Sequence, residues 1–220
     1  MKLIKYNGIN VQKIYSPLNN FFSKIYYINM SIATDRNQKM IELFKKYNIE
    51  AFRFEAIVPT EKGPYKNEGT RGCLLSHWEI IKKAKSENLD NVLIFEDDVE
   101  FIPEFNLKII PILEQLKKEP WDMIYFGTCG KRITEKKEYN QYLDRLFRCW
   151  CLHSYAIKYT VYNDLIELFE NNNGEAVDNL YPKIFDKINV FVSKPELCHQ
   201  ISGFSYIKNK YKNWEYDRGI

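Results

Sequence analysis

The chain has 220 residues, of which 45% are hydrophobic and 28% are charged, so it can bury one well-packed core and is neither disordered nor fibrous. Its 32 basic and 29 acidic side chains give a net charge of +3, which excludes a strongly cationic surface for nucleic acid. No stretch approaches the roughly 20 apolar residues of a membrane span, and residues 1–7 lack the apolar run of a signal peptide. We therefore expect a soluble, cytoplasmic protein with no nucleic-acid partner and no transmembrane segment.

Residues 1–22 show no clear periodicity and are interpreted as an N-terminal extension, which leaves residues 23–220 as one domain. In this domain, short β-favouring apolar runs alternate with stretches of helical spacing. The predicted strands are residues 25–28, 51–56, 92–95, 122–126, 152–157 and 188–192. The first predicted helix is capped by Thr34 or Asp35 and continues to Tyr47. The other predicted helices are residues 70–86, 103–118 and 159–169.

The order of these elements favours an α/β fold. Strands that alternate with helices are typical of a mainly parallel sheet covered by helices on both faces. The run from Val92 to Phe95 is wholly apolar, which fits a central strand buried on both faces. We therefore predict a single α/β domain with a mainly parallel central sheet flanked by helices.

The five cysteines, at positions 73, 129, 149, 151 and 198, form no Cys-x-x-Cys pair, and their number is odd. Both facts disfavour a zinc site and a complete disulfide framework. Cys149 and Cys151 are two residues apart and are expected to lie on one strand. We expect all five cysteines to be reduced and mostly buried.

An acidic cluster, Glu96-Asp97-Asp98, directly follows the most strand-like run. Ligands of open α/β sheets bind at the carboxyl ends of strands, so the cluster lies at the expected ligand edge. Strand geometry would put Glu96 and Asp98 on one side and Asp97 on the other. Two carboxylates about 4 Å apart repel by roughly 4 kcal/mol at an effective dielectric near 20, and a cation relieves that cost. Oxygen ligands with no nearby Cys or His pair favour Mg²⁺ or Mn²⁺. The alternative is an exposed acidic turn that caps the next helix.

Two motifs together resemble one known family. The segment from Gly69 to His77 contains Gly-Cys-x-x-Ser-His, and the strand after the next helix ends in Glu-Asp-Asp. This pair is similar to the helix start and acidic strand end of glycosyltransferase family 25, the family of lipooligosaccharide-type sugar transferases and procollagen galactosyltransferases. Further similar pieces lie in matching order between about residues 24 and 207: Tyr27-Ile28-Asn29, Asp35-Arg36, Trp121-Asp122, His153 to Ile157, Val177-Asp178 and Pro195 to Gln200.

The resemblance implies a GT-A-like fold and a specific reaction. An inverting, metal-dependent enzyme would move a hexose, galactose or glucose, from a UDP-sugar to a hydroxyl group of a glycan or hydroxylysine acceptor. The implied cofactor is Mn²⁺ or Mg²⁺. Three positions depart from the family pattern: Met30 replaces a Leu, Ala176 a Pro and Tyr206 an Asp. The last two lie near acceptor elements, so the identity of the acceptor is the least defined part of the implied reaction.

The resemblance also suggests which side chains hold the metal and the donor. Glu96 and Asp98 are predicted metal ligands, and His199 would complete the shell unless it is a structural histidine. Asp97 is predicted to bind the ribose or to hold the loop. Asn29 is predicted to contact the uracil or ribose.

Three further roles each have an ordinary structural alternative. Arg36 is predicted to bind the diphosphate; the alternative is an exposed helical residue paired with an acid. His77 shares a helical face with Cys73 and Ile80, so it is either a core histidine or a group beneath the donor. Asp178 is the predicted base that takes the acceptor proton; the alternative is a helix N-cap.

Two other functions use the same features. A non-catalytic relative would keep the fold as a binding or adhesion module, although the intact acidic cluster argues against it. A nucleotidyltransferase would use a similar sheet and acid pair, but no Gly-rich phosphate loop follows the first predicted strand.

Overall fold

The computed structural model of the chain describes residues 3–6, 9–12, 15–128, 134–205 and 210–212. The helices in this part of the chain are α1 (Pro17–Phe21), α2 (Thr34–Tyr47), α3 (Glu68–Ser86), α4 (Phe105–Leu116), α5 (Tyr162–Glu170) and α6 (Val177–Leu180), with 3₁₀ turns at Tyr159–Val161 and Tyr181–Ile184. The strands are β1 (Leu3–Tyr6), β2 (Ile9–Gln12), β3 (Lys24–Asn29), β4 (Phe52–Glu55), β5 (Asn91–Glu96), β6 (Val99–Phe101), β7 (Met123–Tyr125), β8 (Glu135–Glu138), β9 (Leu143–Arg148), β10 (Ser154–Lys158), β11 (Val190–Ser193), β12 (Cys198–Gln200), β13 (Gly203–Ser205) and β14 (Lys210–Lys212). Among the described helices, none combines the length and the apolar character that crossing a bilayer requires.

Eight strands form the central sheet, in the order β4-β3-β5-β10-β7-β11-β9-β8. The pairings of β3 with β4, of β3 with β5 and of β7 with β11 are parallel, whereas every pairing that β9 or β10 makes is antiparallel. All strands of the sheet except β9 and β10 therefore run in one direction, as a mainly parallel sheet requires. The carboxyl ends of β3 and β5 lie side by side, because Ile28 is in register with Glu96.

Strand β5 lies in the middle of the protein, as its composition predicts. Its four apolar residues, from Val92 to Phe95, are each 0% exposed. Val92 and Ile94 enter the core that contains α3, α5 and α6, whereas Leu93 and Phe95 enter the core that contains α1, α2 and α4. Burial of each side chain contributes about 1.5–3 kcal/mol. Both faces of the sheet are thus covered, and the carboxyl end of β5 is held in a fixed place.

The core also includes part of the segment that the sequence pattern assigns to an extension. Leu18 and Phe22 are buried in the same core as α4. Ser16 caps α1 by accepting a hydrogen bond from the backbone N–H of Leu18, and its hydroxyl donates to Asn106 at 3.2 Å. Residues 16–22 therefore pack as part of the domain, and the lack of periodicity reflects a helix of only five residues.

Two helix starts differ from the prediction. Helix α2 begins at Thr34 with Ala33 at the N-cap position and no side-chain cap, so neither Thr34 nor Asp35 caps it. Helix α3 begins at Glu68 instead of near Thr70, because the side chain of Asn67 accepts a hydrogen bond from the backbone N–H of Thr70 at 2.8 Å.

The cysteines do not all behave as expected. Cys151 is disulfide-bonded, so the prediction of five reduced thiols is wrong at this position. Cys149 and Cys151 lie in the connection between β9 and β10 and not on a strand. Cys73, Cys149 and Cys198 are not disulfide-bonded, and Cys129 lies outside the described residues.

Candidate active site

A cavity of about 1110 Å³ lies at the carboxyl ends of β3 and β5. Its walls come from these strand ends, the first half of α3, the residues around α6 and the segment that includes the end of β12. Its volume is slightly above the usual range for small-molecule sites, roughly 300–1,000 Å³. The predicted site residues that line it are Asn29, Arg36, His77, Glu96, Asp97, Asp98 and Asp178.

All three clustered acids face this cavity. Strand β5 ends at Glu96, and Asp97 and Asp98 form a turn before β6 begins at Val99. The alternation of a strand therefore stops at Glu96, and the prediction that Asp97 points away from its neighbours is wrong. The turn concentrates three carboxylates at one point of the wall.

Asp97 is fully engaged by its neighbours. Its Oδ2 accepts a hydrogen bond from Asn29 at 2.7 Å, and its Oδ1 lies 2.5 Å from Nη1 of Arg36. The amide oxygen of Asn29 in turn accepts from Nε of Arg53 at 2.9 Å. Burial raises the pKa of Asp97, and the nearby Arg36 charge opposes that rise. This network anchors the turn to β3 and α2.

Asp98 is in a different situation. Its Oδ2 accepts a hydrogen bond from Gln200 at 2.9 Å and lies 3.8 Å from Nη2 of Arg36. Its Oδ1 is buried, and no donor in the described part of the chain reaches it. Burial and then the charge of Glu96 raise the pKa of Asp98 to about 7. Asp98 thus presents an unsatisfied acceptor oxygen, which is what a hard cation requires of a ligand.

Glu96 ends a buried chain of hydrogen bonds. Its Oε1 lies 3.4 Å from Nε2 of His77, Nδ1 of His77 lies 2.7 Å from the hydroxyl of Tyr155, and that hydroxyl lies 2.9 Å from the hydroxyl of Tyr181. Burial acts to raise the pKa of Glu96, but the hydrogen bond and charge of His77, together with the charges of His153 and Arg36, lower the pKa overall. His77 is 1% exposed and also lines the cavity. It is therefore both a buried core histidine and a residue of the cavity wall, and the two interpretations are compatible.

The Gly-Cys-x-x-Ser-His motif has a mechanical explanation in α3. Gly72 lets the helix approach the backbone of Ile57, since an added Cβ would stand 2.3 Å from the Ile57 carbonyl oxygen. The hydroxyl of Ser76 accepts from the backbone N–H of Ile57 at 2.9 Å and donates to the carbonyl of Gly72 at 2.7 Å. The motif therefore clamps the loop after β4 against α3, while Cys73 and His77 line the cavity.

We expect Gly72→Ala to destabilise the protein by about 1–3 kcal/mol, because overpacking against fixed backbone forces a shift of the loop or the helix. Urea unfolding at equilibrium measures the change. Gly203→Ala is the matched control, since its added Cβ would meet its nearest neighbour, Arg36, at an ordinary 3.9 Å. Equal stability of the two variants would contradict the clamp.

Asp178 belongs to the part of the cavity wall around α6. It lies in the first turn of α6, whose N-cap residue is Ala176, so Asp178 is not the N-cap. Its side chain lines the cavity. Burial raises the pKa of Cys73 well above its usual value, and the charges of Glu96, Asp178 and Asp98 raise it further, so these acids surround one point.

The structure does not bring His199 to this cavity. It lies on β12, which pairs with β6, and its neighbour Gln200 is the residue that contacts Asp98. Successive residues of a strand point to opposite faces, so the side chains of His199 and Gln200 diverge. His199 is not among the described residues that line the cavity, and this geometry does not support it as a metal ligand.

Sequence reasoning missed three side chains of the site. Gln200 reaches Asp98 only because Gln200 pairs with Val99 between two three-residue strands, which are too short to show a periodic signal. Tyr155 reaches His77 because β10 lies beside β5. Trp150 lines the cavity from an irregular connection, where no sequence pattern indicates a site residue. Its exposure of 36%, which is unusual for a tryptophan, indicates a role only once the structure is known.

Comparison with known proteins identifies the family. The model of the family described as glycosyltransferase family 25 (LPS biosynthesis protein) matches residues 22–181, which is more than half of the chain. The chain belongs to glycosyltransferase family 25. The resemblance indicated by the Gly-Cys-x-x-Ser-His and Glu-Asp-Asp motifs is thereby confirmed.

Individual relatives match a shorter stretch. A glycosyltransferase 25 family member of Drosophila melanogaster is 33% identical over 137 residues, which cover 52% of this chain and 22% of that protein. Procollagen galactosyltransferase 2 of Mus musculus is 26% identical over 140 residues, which cover 53% of this chain and 22% of that protein. Inactive glycosyltransferase 25 family member 3 of Homo sapiens is also 26% identical, with 53% of this chain and 23% of that protein covered. The chain thus spans about a fifth of the length of these relatives.

A solved structure supports the fold. The crystal structure of a glycosyltransferase involved in the glycosylation of the major capsid of PBCV-1 superposes with a TM-score of 0.53 at 15% identity, and the match covers 90% of this family 25 chain and 98% of that chain. At this identity the match shows the fold alone. The α/β, GT-A-like fold class predicted from the sequence is confirmed.

Proposed function

We propose that this family 25 chain transfers a hexose, galactose or glucose, from a UDP-sugar to a hydroxyl group of a glycan or hydroxylysine acceptor, in an inverting reaction that depends on Mn²⁺ or Mg²⁺. The observation that carries the proposal is the buried Oδ1 of Asp98, which no described donor satisfies, in the cavity that Glu96 also lines. An unsatisfied buried polar atom costs about 1–3 kcal/mol. Groups of this kind in a cleft are typical of functional sites.

The donor set of the site fits a hard divalent cation. Oδ1 of Asp98 and the carboxylate of Glu96 would hold the ion, because Mg²⁺ and Mn²⁺ prefer oxygen ligands. When bound, such an ion neutralises the charge of a departing diphosphate. Asn29 and Arg36 already occupy both oxygens of Asp97, so we assign Asp97 to holding the turn and the guanidinium in place.

The wall formed by β3 and α2 suits the nucleotide. Arg36 lies beside Asp97 and Asp98 and lines the cavity. A guanidinium with fixed geometry is well matched to phosphate oxygens, so we assign Arg36 to the diphosphate. Asn29 and the loop of residues 56–59, which the Gly72 clamp holds, also line the cavity and are assigned to the uridine.

The wall formed by α6 suits the acceptor. Asp178 is assigned as the base that accepts the proton of the attacking hydroxyl group, since a carboxylate within reach of that proton is what the step requires. The charge of Asp178 contributes, with those of Glu96 and Asp98, to the raised pKa of Cys73. The shared effect on Cys73 supports a base that lies close to the proposed cation ligands.

Trp150 is assigned as a platform for an acceptor sugar. It lines the cavity on the connection between β9 and β10, is 36% exposed, and has the guanidinium of Arg148 at 5.0 Å from its ring centre. A half-exposed indole held by a cation offers a flat apolar surface with a polar edge, which matches the apolar face of a sugar ring.

We expect Trp150→Ala to raise the KM for the acceptor by up to about tenfold, because aromatic contacts contribute about 0.5–1.5 kcal/mol beyond the area they bury. The KM for the donor should stay the same. Steady-state kinetics with both substrates varied measures the two constants. Phe147→Ala is the control, since Phe147 is 46% exposed but is not one of the described cavity residues. An unchanged acceptor KM in Trp150→Ala would contradict the assignment.

A direct assay tests the function itself. The protein is incubated with UDP-galactose or UDP-glucose and Mn²⁺, and the release of UDP is measured with and without a glycan or hydroxylysine peptide. We expect one donor to be consumed, and faster with an acceptor. Release of pyrophosphate from a nucleoside triphosphate would indicate a nucleotidyltransferase instead. Binding of a glycan without consumption of either donor would indicate a non-catalytic relative, as the similarity to an inactive human relative makes worth testing.

A further inference from the structure

Three side chains of different chemistry meet on the α3 wall of the cavity. The Sγ of Cys73, a ring nitrogen of His77 and a carboxylate oxygen of Glu96 all lie within 4.8 Å of one another. Cys73 and His77 are one helical turn apart, so both project from the same face of α3. Glu96 reaches them from the end of β5.

The distance between His77 and Glu96 suits ligation of a single tetrahedral ion. Two ligands such as an imidazole nitrogen and a carboxylate oxygen, each about 2.0–2.1 Å from Zn²⁺, are about 3.3 Å apart at the tetrahedral angle. Nε2 of His77 and Oε1 of Glu96 are 3.4 Å apart. Nδ1 of His77 lies 2.7 Å from the hydroxyl of Tyr155. Metal-binding histidines typically make such a bond with the second ring nitrogen, because it fixes the ring and the tautomer.

We propose that Cys73, His77 and Glu96 form a binding site for Zn²⁺ or a similar borderline-soft ion, with the fourth position open to the cavity. A sulfur, a nitrogen and an oxygen ligand favour Zn²⁺ over Mg²⁺ or Mn²⁺. On binding, the thiol of Cys73 loses its proton to solvent and the thiolate joins the metal. The site lacks the Cys-x-x-Cys spacing of structural zinc sites, which is why the spacing of cysteines alone disfavours it.

This site shares Glu96 with the proposed donor-metal site, but it does not use Asp98. Occupancy of one site by Zn²⁺ therefore excludes full ligation of Mn²⁺ or Mg²⁺ at the other. The consequence, which rests on the proposed function, is that Zn²⁺ inhibits sugar transfer in competition with Mn²⁺. Binding itself does not depend on that function.

Cobalt provides the test, because a thiolate–Co²⁺ bond gives a charge-transfer absorption that nitrogen and oxygen ligands do not. We expect the wild-type chain to develop this band with one equivalent of Co²⁺ and to lose it when Zn²⁺ is added. Cys73→Ser should lack the band. Cys198→Ser is the matched control, since it removes a free, buried thiol elsewhere and should keep the band.

Two further measurements separate the possible outcomes. Asp98→Asn should keep the cobalt band, and loss of the band in that variant would overturn a site that is independent of Asp98. Zn²⁺ should protect Cys73 of the wild-type chain from alkylation, as measured by mass spectrometry, which needs no variant to fold. Absence of the band in the wild type, its persistence in Cys73→Ser or equal alkylation with and without Zn²⁺ would overturn the proposal. A cobalt band in a chain that consumes no sugar donor would leave the zinc site standing and refute the proposed function.

Discussion

Replacement of Asp98 by asparagine is expected to abolish the stabilisation of the protein by Mn²⁺ with UDP and to reduce sugar transfer by more than about 100-fold. Loss of a group that only orients a metal ligand typically costs 10–100-fold, so loss of a direct ligand should cost more. Asparagine keeps the shape of the side chain and can still accept the hydrogen bond of Gln200. It removes the negative charge on the oxygen that no described donor satisfies.

The same substitution should stabilise the metal-free protein at alkaline pH. The pKa of Asp98 is about 7 in the folded state, against about 3.9 for an unfolded chain. The folded state therefore holds an extra proton between these values, and the stability that this proton contributes is present below pH 4 and lost as the pH rises through 7. Asp98→Asn does not suffer that loss. At pH 8 we expect it to be more stable than the wild type by up to about 4 kcal/mol, and the difference should shrink toward pH 4.

Thermal shift with Mn²⁺ and UDP, a transfer assay, and urea unfolding at pH 5 and pH 8 measure these effects on one pair of proteins. Asp186→Asn makes the same chemical change at an exposed position and should match the wild type in all three. Retention of the Mn²⁺-dependent shift in Asp98→Asn would contradict the proposed metal ligand. A variant that is destabilised at pH 8 would show that the Asp98 carboxylate is held for the fold and not for a ligand.

The position of the acids could be predicted from the sequence because two local signals coincide. A wholly apolar run such as Val92 to Phe95 is buried on both faces wherever it lies in an α/β sheet, and the first polar residue after it marks the strand end. Strand ends in such sheets line the ligand site. These rules place Glu96 at the cavity without any knowledge of the remaining chain. They do not describe the turn after it, which is why the orientation of Asp97 was predicted wrongly.

The partners of the acids could not be predicted in the same way. Gln200 lies 102 residues from Asp98 in sequence and reaches it through a pairing of two three-residue strands. The sequence alone does not show whether His199 or Gln200 contacts the acids. The two residues point to opposite faces of β12, and the pairing of β12 with β6 determines which face lies toward Asp98. Trp150 lies in an irregular connection, where the sequence has no periodic pattern that could predict the direction of its side chain. The register between strands that are distant in sequence is set by tertiary packing, and a local sequence pattern does not predict it.

Similarity to relatives does not decide activity either. The procollagen galactosyltransferase of mouse and the inactive human relative are both 26% identical to this chain over the same length. The folds of active and inactive members can be the same, because function depends on a few groups in the site. In this chain the groups that the proposal assigns to the transfer all line one cavity: the acids of the turn, Arg36 and Asp178. The role proposed for Asp178 is the most specific, since this residue would act on the acceptor alone.

Asp178→Asn is expected to lower kcat for transfer by about 10²–10⁴-fold, the usual effect of removing a general base. The stabilisation by Mn²⁺ and UDP should be unchanged, because the proposal assigns Asp178, in the first turn of α6, to the acceptor and not to the metal or the donor. Asp186→Asn again serves as the exposed control, and Asp178→Glu should recover part of the rate, since it restores a carboxylate slightly displaced. Nuclear magnetic resonance of the product reports whether the anomeric centre is inverted. A rate in Asp178→Asn within a few-fold of the wild type would remove Asp178 from the mechanism, and a joint loss of rate and of the Mn²⁺–UDP shift would assign it to the donor site or the fold.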